Sequence, residues 1–225
     1  MTNTARLELF TARVCPYAHR TRLTLLEKGL EAELVEIDFK NKPARFLAVS
    51  PYGRVPALVH GETIVYESAI INEYLDEVFP TPRLMPADPA LRARVRIWID
   101  YCDHQFLDDY YALLKERDGT RIALLRDKVE AHLRFIEKEG LGRRDGPGPY
   151  WLGESVSLLD LAYYPFFERL PAWRHYRGVT IPEDCAQFRA WLAAMAARPS
   201  VRSMATDDAY YVRHYAGYAG VDAAA

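Results

Sequence analysis

The first third of the chain changes its apolar period repeatedly, whereas the remainder keeps one period almost throughout. Arg6-Leu7-Glu8-Leu9-Phe10 alternates like a short strand, and Pro16 to Gly29 then carries Leu23, Leu25 and Leu26 on a helical pattern that Gly29 ends. Glu33-Leu34-Val35-Glu36-Ile37 alternates again, and a β-α-β connection of this length places its two strands parallel in one sheet. A short helix is predicted from Pro43 to about Val49. Ala57-Leu58-Val59-His60 and Thr63-Ile64-Val65-Tyr66 flank Gly61-Glu62, a tight-hairpin pattern, and Glu67 to Val78 returns to the helical period.

The order βαβαββα, parallel at its start and antiparallel at its finish, predicts an α/β thioredoxin-like N-terminal domain over residues 1–80. Pro80, Pro82, Pro86 and Pro89 follow, a density of rings without an N–H that no regular element tolerates, so 81–88 reads as a linker. Helical patterns run from Pro89 to about Arg117, Arg121 to Lys138, Ser157 to about Leu170 and Cys185 to Ala197, which predicts an all-α bundle over 89–225. Gly140 to Pro149 reads as a solvent loop, and the chain ends in a short alanine tail.

Composition narrows the function classes. A 225-residue chain that is 50% hydrophobic has ample material for packed cores. The net charge of -2, with both signs interspersed, provides no field for nucleic acid or an anionic membrane. No basic-then-apolar leader and no long uncharged run is present, so the expected compartment is the cytoplasm. Cys15, Cys102 and Cys185 are an odd set with neither disulfide nor metal-ligand spacing, so three free thiols and no metal are expected.

Only one of those thiols has a chemical setting. Cys15-Pro16-Tyr17-Ala18-His19-Arg20 joins the first strand to the first helix, which places Cys15 at the helix N-cap with proline at the first helical position. Exposed N–H groups and the positive helix end stabilise a thiolate there, making the cysteine nucleophilic at neutral pH. Position 18 is alanine, so no neighbouring thiol can resolve a mixed disulfide, and an external thiol such as glutathione must do so. In Ser50-Pro51-Tyr52-Gly53-Arg54-Val55-Pro56-Ala57, a cis Val55–Pro56 bond would expose the Val55 backbone to pair with an extended peptide-like ligand; an ordinary trans turn is the alternative. Glu67-Ser68 opens the next helix, either as caps or as a receptor for the charged ends of a γ-glutamyl group.

Taken together, CPYAHRTRL, KNKP, SPYGRVPALV, YESAIINEYLDEVFP, WLGESVSLLDLAYYPFFERL and FRAWLAAMAARPSV resemble the glutathione transferase superfamily, and specifically its omega class, over nearly the whole chain. The resemblance implies Cys15 as nucleophile and a glutathione site of Tyr17, Lys42, Val55, Pro56, Glu67 and Ser68, with Lys42 near the glycyl carboxylate. It also implies no permanently bound cofactor, glutathione as co-substrate, a small electrophilic or disulfide acceptor, and a homodimer. A cysteine in place of the tyrosine or serine of most classes favours thiol transfer, disulfide or dehydroascorbate reduction over conjugation.

For the acceptor pocket the helical domain offers Tyr101, His104, Arg169, Tyr211 and Tyr218, with Tyr110, Tyr111, Tyr210 and Tyr215 beside them in sequence. Aromatic walls with one cation suit a planar acceptor. Three other readings stay open at this stage. The chain could conjugate electrophiles with Cys15 as hydrogen-bond donor to bound glutathione, it could remove glutathione from glutathionyl-aryl ketones or hydroquinones, or it could be a non-catalytic scaffold. Ala18 disfavours a dithiol reductase.

Overall fold

In the computed structural model, which describes residues 6–144 and 146–221, the chain separates into two compact units, Met1–Met85 and Pro86–Ala225. The alanine tail lies outside the described residues, as does Asp145.

The first unit runs β1 (Leu7–Thr11), α1 (Pro16–Glu27), β2 (Glu33–Glu36), α2 (Ala44–Val49), β3 (Ala57–His60), β4 (Thr63–Tyr66) and α3 (Ser68–Val78). The sheet order is β2-β1-β3-β4, with β1 parallel to β2 and antiparallel to β3, and β3 antiparallel to β4. Glu8 faces Glu33, Phe10 faces Ala57, and Ala57 faces Tyr66. Gly61 opens the β3–β4 turn at φ +61, a left-handed conformation that glycine adopts without a Cβ clash.

Every residue of central β1 is buried, whereas edge strand β2 is largely exposed. Alternation along β1 divides the core into two layers. Leu7 and Leu9 pack with Leu25, Leu58, Ile71 and Leu75, and Phe10 packs with Ala18, Ile37, Phe46, Val55 and Ala57. Buried Glu8 shares the second face and is paired there by Arg45 at 2.5 Å.

The residues read as a linker are bound to this unit at their start. Asp76 of α3 accepts the Leu84 and Met85 N–H groups at 2.8 and 3.0 Å, and Lys28 donates to the Pro82 carbonyl at 2.7 Å. Proline density excluded regular structure there, but it did not exclude side-chain anchoring.

The second unit is helical: α4 (Pro89–Tyr101), α5 (Leu107–Lys115), α6 (Gly119–Phe135), α7 (Leu158–Phe167), α8 (Leu170–Arg177), α9 (Ala186–Ala197), α10 (Pro199–Met204) and α11 (Asp208–Ala219). The stretch predicted as one helix from Pro89 is interrupted by a wide turn at Cys102–Phe106, which advances the helix phase by a residue. Another wide turn, Ile136–Gly140, extends α6 into the segment read as a solvent loop. Gly140 and Leu141 are buried there, and a Cβ on Gly140 would fall 2.5 Å from the Trp151 ring. The exposed part therefore begins only at Gly142.

Fully buried α7 is the axis of this unit. Asp160 in its first turn accepts from Ser157 N and Oγ, Trp151 N and Trp191 Nε1 at 2.8–3.1 Å, so one carboxylate joins three segments. The α7 segment ends sooner than its sequence pattern implies because Pro171 sits in the first turn of α8, where a missing N–H costs nothing.

Candidate functional site

Cys15 caps α1 with extended backbone (φ -73, ψ 119), and Pro16 occupies the first helical position as the sequence predicts. Its N–H donates to the Ala12 carbonyl at 3.0 Å and its carbonyl accepts from His19 at 3.0 Å, which locks the turn that presents the side chain. The thiol is partly exposed, and its Sγ lies 3.7 Å from the Val55 carbonyl, to which an S–H donates. The β1–β3 register that sets Phe10 against Ala57 brings the ends of the two strands, and hence Cys15 and Val55, side by side.

The Val55–Pro56 peptide is cis. The turn before it is held by the Ser50 hydroxyl, which donates to the Arg54 carbonyl at 2.7 Å and accepts from the Arg54 N–H at 2.9 Å. Exposed Lys42 reaches over this turn, its Nζ 3.4 Å from where a Cβ on Gly53 would lie. Across the unit, Glu67 caps α3 at φ +69, a conformation that non-glycine residues rarely adopt and that concentrates at ligand sites. Glu67 is exposed, while Ser68 behind it is buried.

A residue that the sequence reading passed over connects these parts. Arg20 of α1 is completely buried; its Cζ sits 5.1 Å from the centre of the partly exposed Tyr17 ring, and its Nη1 donates to Ser68 Oγ at 3.4 Å. Tyr17, Arg20 and Ser68 thereby form one chain of contacts within the first unit, and Cys15, two residues before Tyr17, lies against Val55. The signal that could have found Arg20 is a four-residue spacing of Arg20, Thr24 and Lys28 that matches Ser68, Asn72 and Asp76.

The acceptor candidates on the second unit are distributed differently. Tyr101 hydrogen bonds to His132 Nδ1 at 2.5 Å, and His132 Nε2 meets Asp109 at 3.1 Å. Burial, then Asp109 and Cys102, push the Tyr101 hydroxyl up to about 12. His104 points to solvent and pairs with Asp100.

Arg169, expected beside the acceptor, has no exposed surface. It donates to the Pro165 carbonyl at 2.5 Å, pairs with Glu168 at 3.4 Å and lies 4.8 Å from the Tyr211 ring centre, while the Tyr211 hydroxyl donates to Glu168 at 2.7 Å. Burial opposes the Arg169 charge, but Tyr215, Tyr211 and Glu168 outweigh it and hold its pKa above the usual value. Burial raises Tyr211 well above the ordinary phenol range. Exposed Tyr218 packs on Tyr215, and Tyr110 stacks on Trp173 with centroids 4.1 Å apart.

Cys102 and Cys185 are buried, and burial, with Asp184 and Glu137, pushes the Cys185 thiol up to about 11. Among the described residues, no group of three or more His, Cys, Asp or Glu could hold a metal ion, and no helix is long and apolar enough to cross a membrane.

The chain is similar to known proteins. Residues 14–78 match the family model "Glutathione S-transferase, N-terminal domain" and residues 115–194 match "Glutathione S-transferase, C-terminal domain". Glutathione S-transferase omega-2 of Rattus norvegicus is 33% identical over 89% of this chain and 79% of its own length. Glutathione S-transferase U19 of Arabidopsis thaliana is 31% identical over 85% of each chain. Among solved structures, glutathione transferase Omega 3C from Trametes versicolor superposes with a TM-score of 0.84 and 30% identity over 94% of this chain and 89% of that one. Rice GST1 in complex with glutathione superposes with a TM-score of 0.85 and 28% identity over 96% and 97%.

Proposed function

The chain belongs to the glutathione S-transferase family, and from that premise we propose that it is an omega-like, glutathione-dependent thiol transferase and reductase acting through a Cys15 mixed disulfide. The observation that carries this reading is the placement of a partly exposed thiol at the N-terminus of α1, 3.7 Å from the Val55 carbonyl. The helix end favours negative charge on sulfur, and an extended peptide pairing with Val55 would bring its own cysteinyl sulfur alongside Cys15.

In the first step the Cys15 thiolate attacks the glutathione sulfur of a glutathionylated acceptor. The acceptor leaves as a thiolate, and glutathione stays on Cys15 as a disulfide. A second glutathione thiolate then attacks that glutathione sulfur, giving oxidised glutathione and the free Cys15 thiolate. A stabilised thiolate aids both steps, first by its abundance and then as a leaving group. For dehydroascorbate, the thiolate adds to a carbonyl carbon; a first glutathione thiolate then attacks the Cys15 sulfur, expelling protonated ascorbate and leaving glutathione on Cys15 as a disulfide, and a second glutathione removes it as oxidised glutathione.

Glutathione contacts are assigned to Tyr17, Lys42, Val55, Pro56, Glu67 and Ser68, with Lys42 toward the glycyl carboxylate and Glu67 and Ser68 toward the γ-glutamyl end. The aromatic cluster around Arg169 supports an acceptor with a planar apolar body. Arg169 would act there through Tyr211 and Glu168 rather than by contact. A cytoplasmic homodimer accompanies this reading; Tyr52 and Tyr66, packed edge-to-face with centroids 5.5 Å apart yet exposed, are surfaces a second copy could cover.

Conjugation is the second reading, favoured by similarity to enzymes outside the omega class such as U19 and a Tau class enzyme from mango at 25% identity. In that case Cys15 would only donate a hydrogen bond to bound glutathione. Mass spectrometry after exposure to oxidised glutathione separates the two. Thiol transfer requires one glutathione on the Cys15 peptide, removed by excess glutathione; a chain that never acquires it does not use this mechanism.

A further inference from the structure

Beside Leu25, Ile71 and Leu75, which share one apolar cluster, the interface of α1 and α3 carries a buried polar row. Arg20 and Thr24 of α1, Lys28 at its C-cap, and Ser68, Asn72 and Asp76 of α3 are all buried. The pairs Arg20–Ser68 and Lys28–Asp76 are each separated by 48 residues, so the two rows run in register. One end of the seam is the N-terminus of α3, and the residue there that the proposed chemistry does not use is Arg20.

A guanidinium only donates hydrogen bonds, so in the Arg20–Ser68 contact the serine oxygen must accept. The single proton of the Ser68 hydroxyl is then left for an acceptor on the ligand side. The buried cation behind it adds attraction for a negative charge, undamped by water. Its position 5.1 Å over the Tyr17 ring ties the guanidinium to the segment that carries Cys15.

We propose that Arg20 is a positioning residue that sets the Ser68 hydroxyl as a donor and backs it with charge, so that the N-terminus of α3 selects the α-carboxylate of the γ-glutamyl group. This rests on the glutathione reading of the site and deepens it.

The test compares glutathione with an analogue in which hydrogen replaces the γ-glutamyl α-carboxylate. Each thiol is used as reductant of a small mixed disulfide and in calorimetric titration, with wild type, Arg20→Lys, Ser68→Ala and the double variant. Lysine keeps the charge but lacks the planar fork that covers Tyr17 while reaching Ser68. Arg20→Lys is expected to raise the KM for glutathione about tenfold, with kcat and the KM for the analogue each within about twofold. The double variant is expected to lose less than the product of the single losses, because both changes act on one carboxylate.

Equal rises in KM for the two thiols, or a fall in kcat alone, overturn the proposal, since an arginine that only supports the fold would produce them. If Arg20→Lys fails to fold, Ser68→Ala decides, because an unchanged preference for glutathione over the analogue also overturns it. Wild type that binds both thiols equally removes this proposal alone. Wild type that neither binds nor uses glutathione removes the glutathione reading as well.

Discussion

Lys28 and Asp76 form an ion pair of 2.7 Å with side chains only 0% and 4% exposed. Both ions are further satisfied, Lys28 by the Pro82 carbonyl and Asp76 by the Leu84 and Met85 N–H groups. A buried pair of this kind is costly to break from one side, because the partner is left as an uncompensated charge.

Replacing one member should therefore destabilise the first unit strongly. Asp76→Ala is expected to cost about 3–5 kcal/mol in urea unfolding. Lys28→Met with Asp76→Leu together should cost less than the sum of the two single changes. Additive losses would show that the pair is not coupled.

The second unit has its own buried pair. Arg169→Met takes a buried positive charge away from Glu168 beside Tyr211, and a loss of about 3–5 kcal/mol is expected. Tyr211→Phe removes only the hydroxyl that donates to Glu168 and should cost about 1 kcal/mol. Thermal unfolding of the two variants checks the order; Tyr211→Phe being the more damaging would contradict the placement of Arg169.

Alkaline unfolding should report on Tyr101. Its hydroxyl is raised to about 12 from an ordinary 10, so the folded state holds a proton that the unfolded chain loses earlier. That contribution is whole below pH 10 and is lost as pH rises through about 12. Tyr101→Phe is expected to flatten the fall of unfolding free energy between pH 10 and 12 relative to wild type, an effect read from urea titrations at fixed pH. An unchanged slope would contradict the burial of the Tyr101 hydroxyl beside Asp109.

The three thiols should separate cleanly in alkylation. Cys102 and Cys185 are buried, and Cys185 stays protonated below about 11. Iodoacetamide at pH 8 is expected to modify Cys15 rapidly and the other two only on unfolding. Fast labelling of Cys185 in the folded chain would contradict its burial.

Much of this was legible before any coordinates. The β3–β4 hairpin follows from two alternating runs around Gly61-Glu62, and Cys15 at the first helix cap follows from a strand signal, a cysteine and Pro16 in succession. Such local signals depend on neighbours in sequence. The wide turn at Cys102–Phe106 left no composition signal, because an extra residue in a helix changes its phase without changing its chemistry. Helix α11 was masked by tyrosines that occupy helix and strand with comparable ease.

The site was legible to a similar depth. Its backbone contributions could be placed because turns and caps are local, whereas Arg20 could not, since its significance lies in Ser68, 48 residues away. Arg169 was seen as a cation but not as an interior one. A guanidinium in a sequence gives no sign of whether Glu168 and a C-terminal tyrosine will close over it.

The most direct test of the central claim is glutathione-dependent reduction of a small mixed disulfide by wild type and Cys15→Ser, with aryl-halide conjugation measured on the same preparations. The account predicts that reduction falls by more than about a hundredfold in Cys15→Ser while conjugation persists or appears. Reduction retained by Cys15→Ser, or absent from wild type beside efficient conjugation, would contradict it.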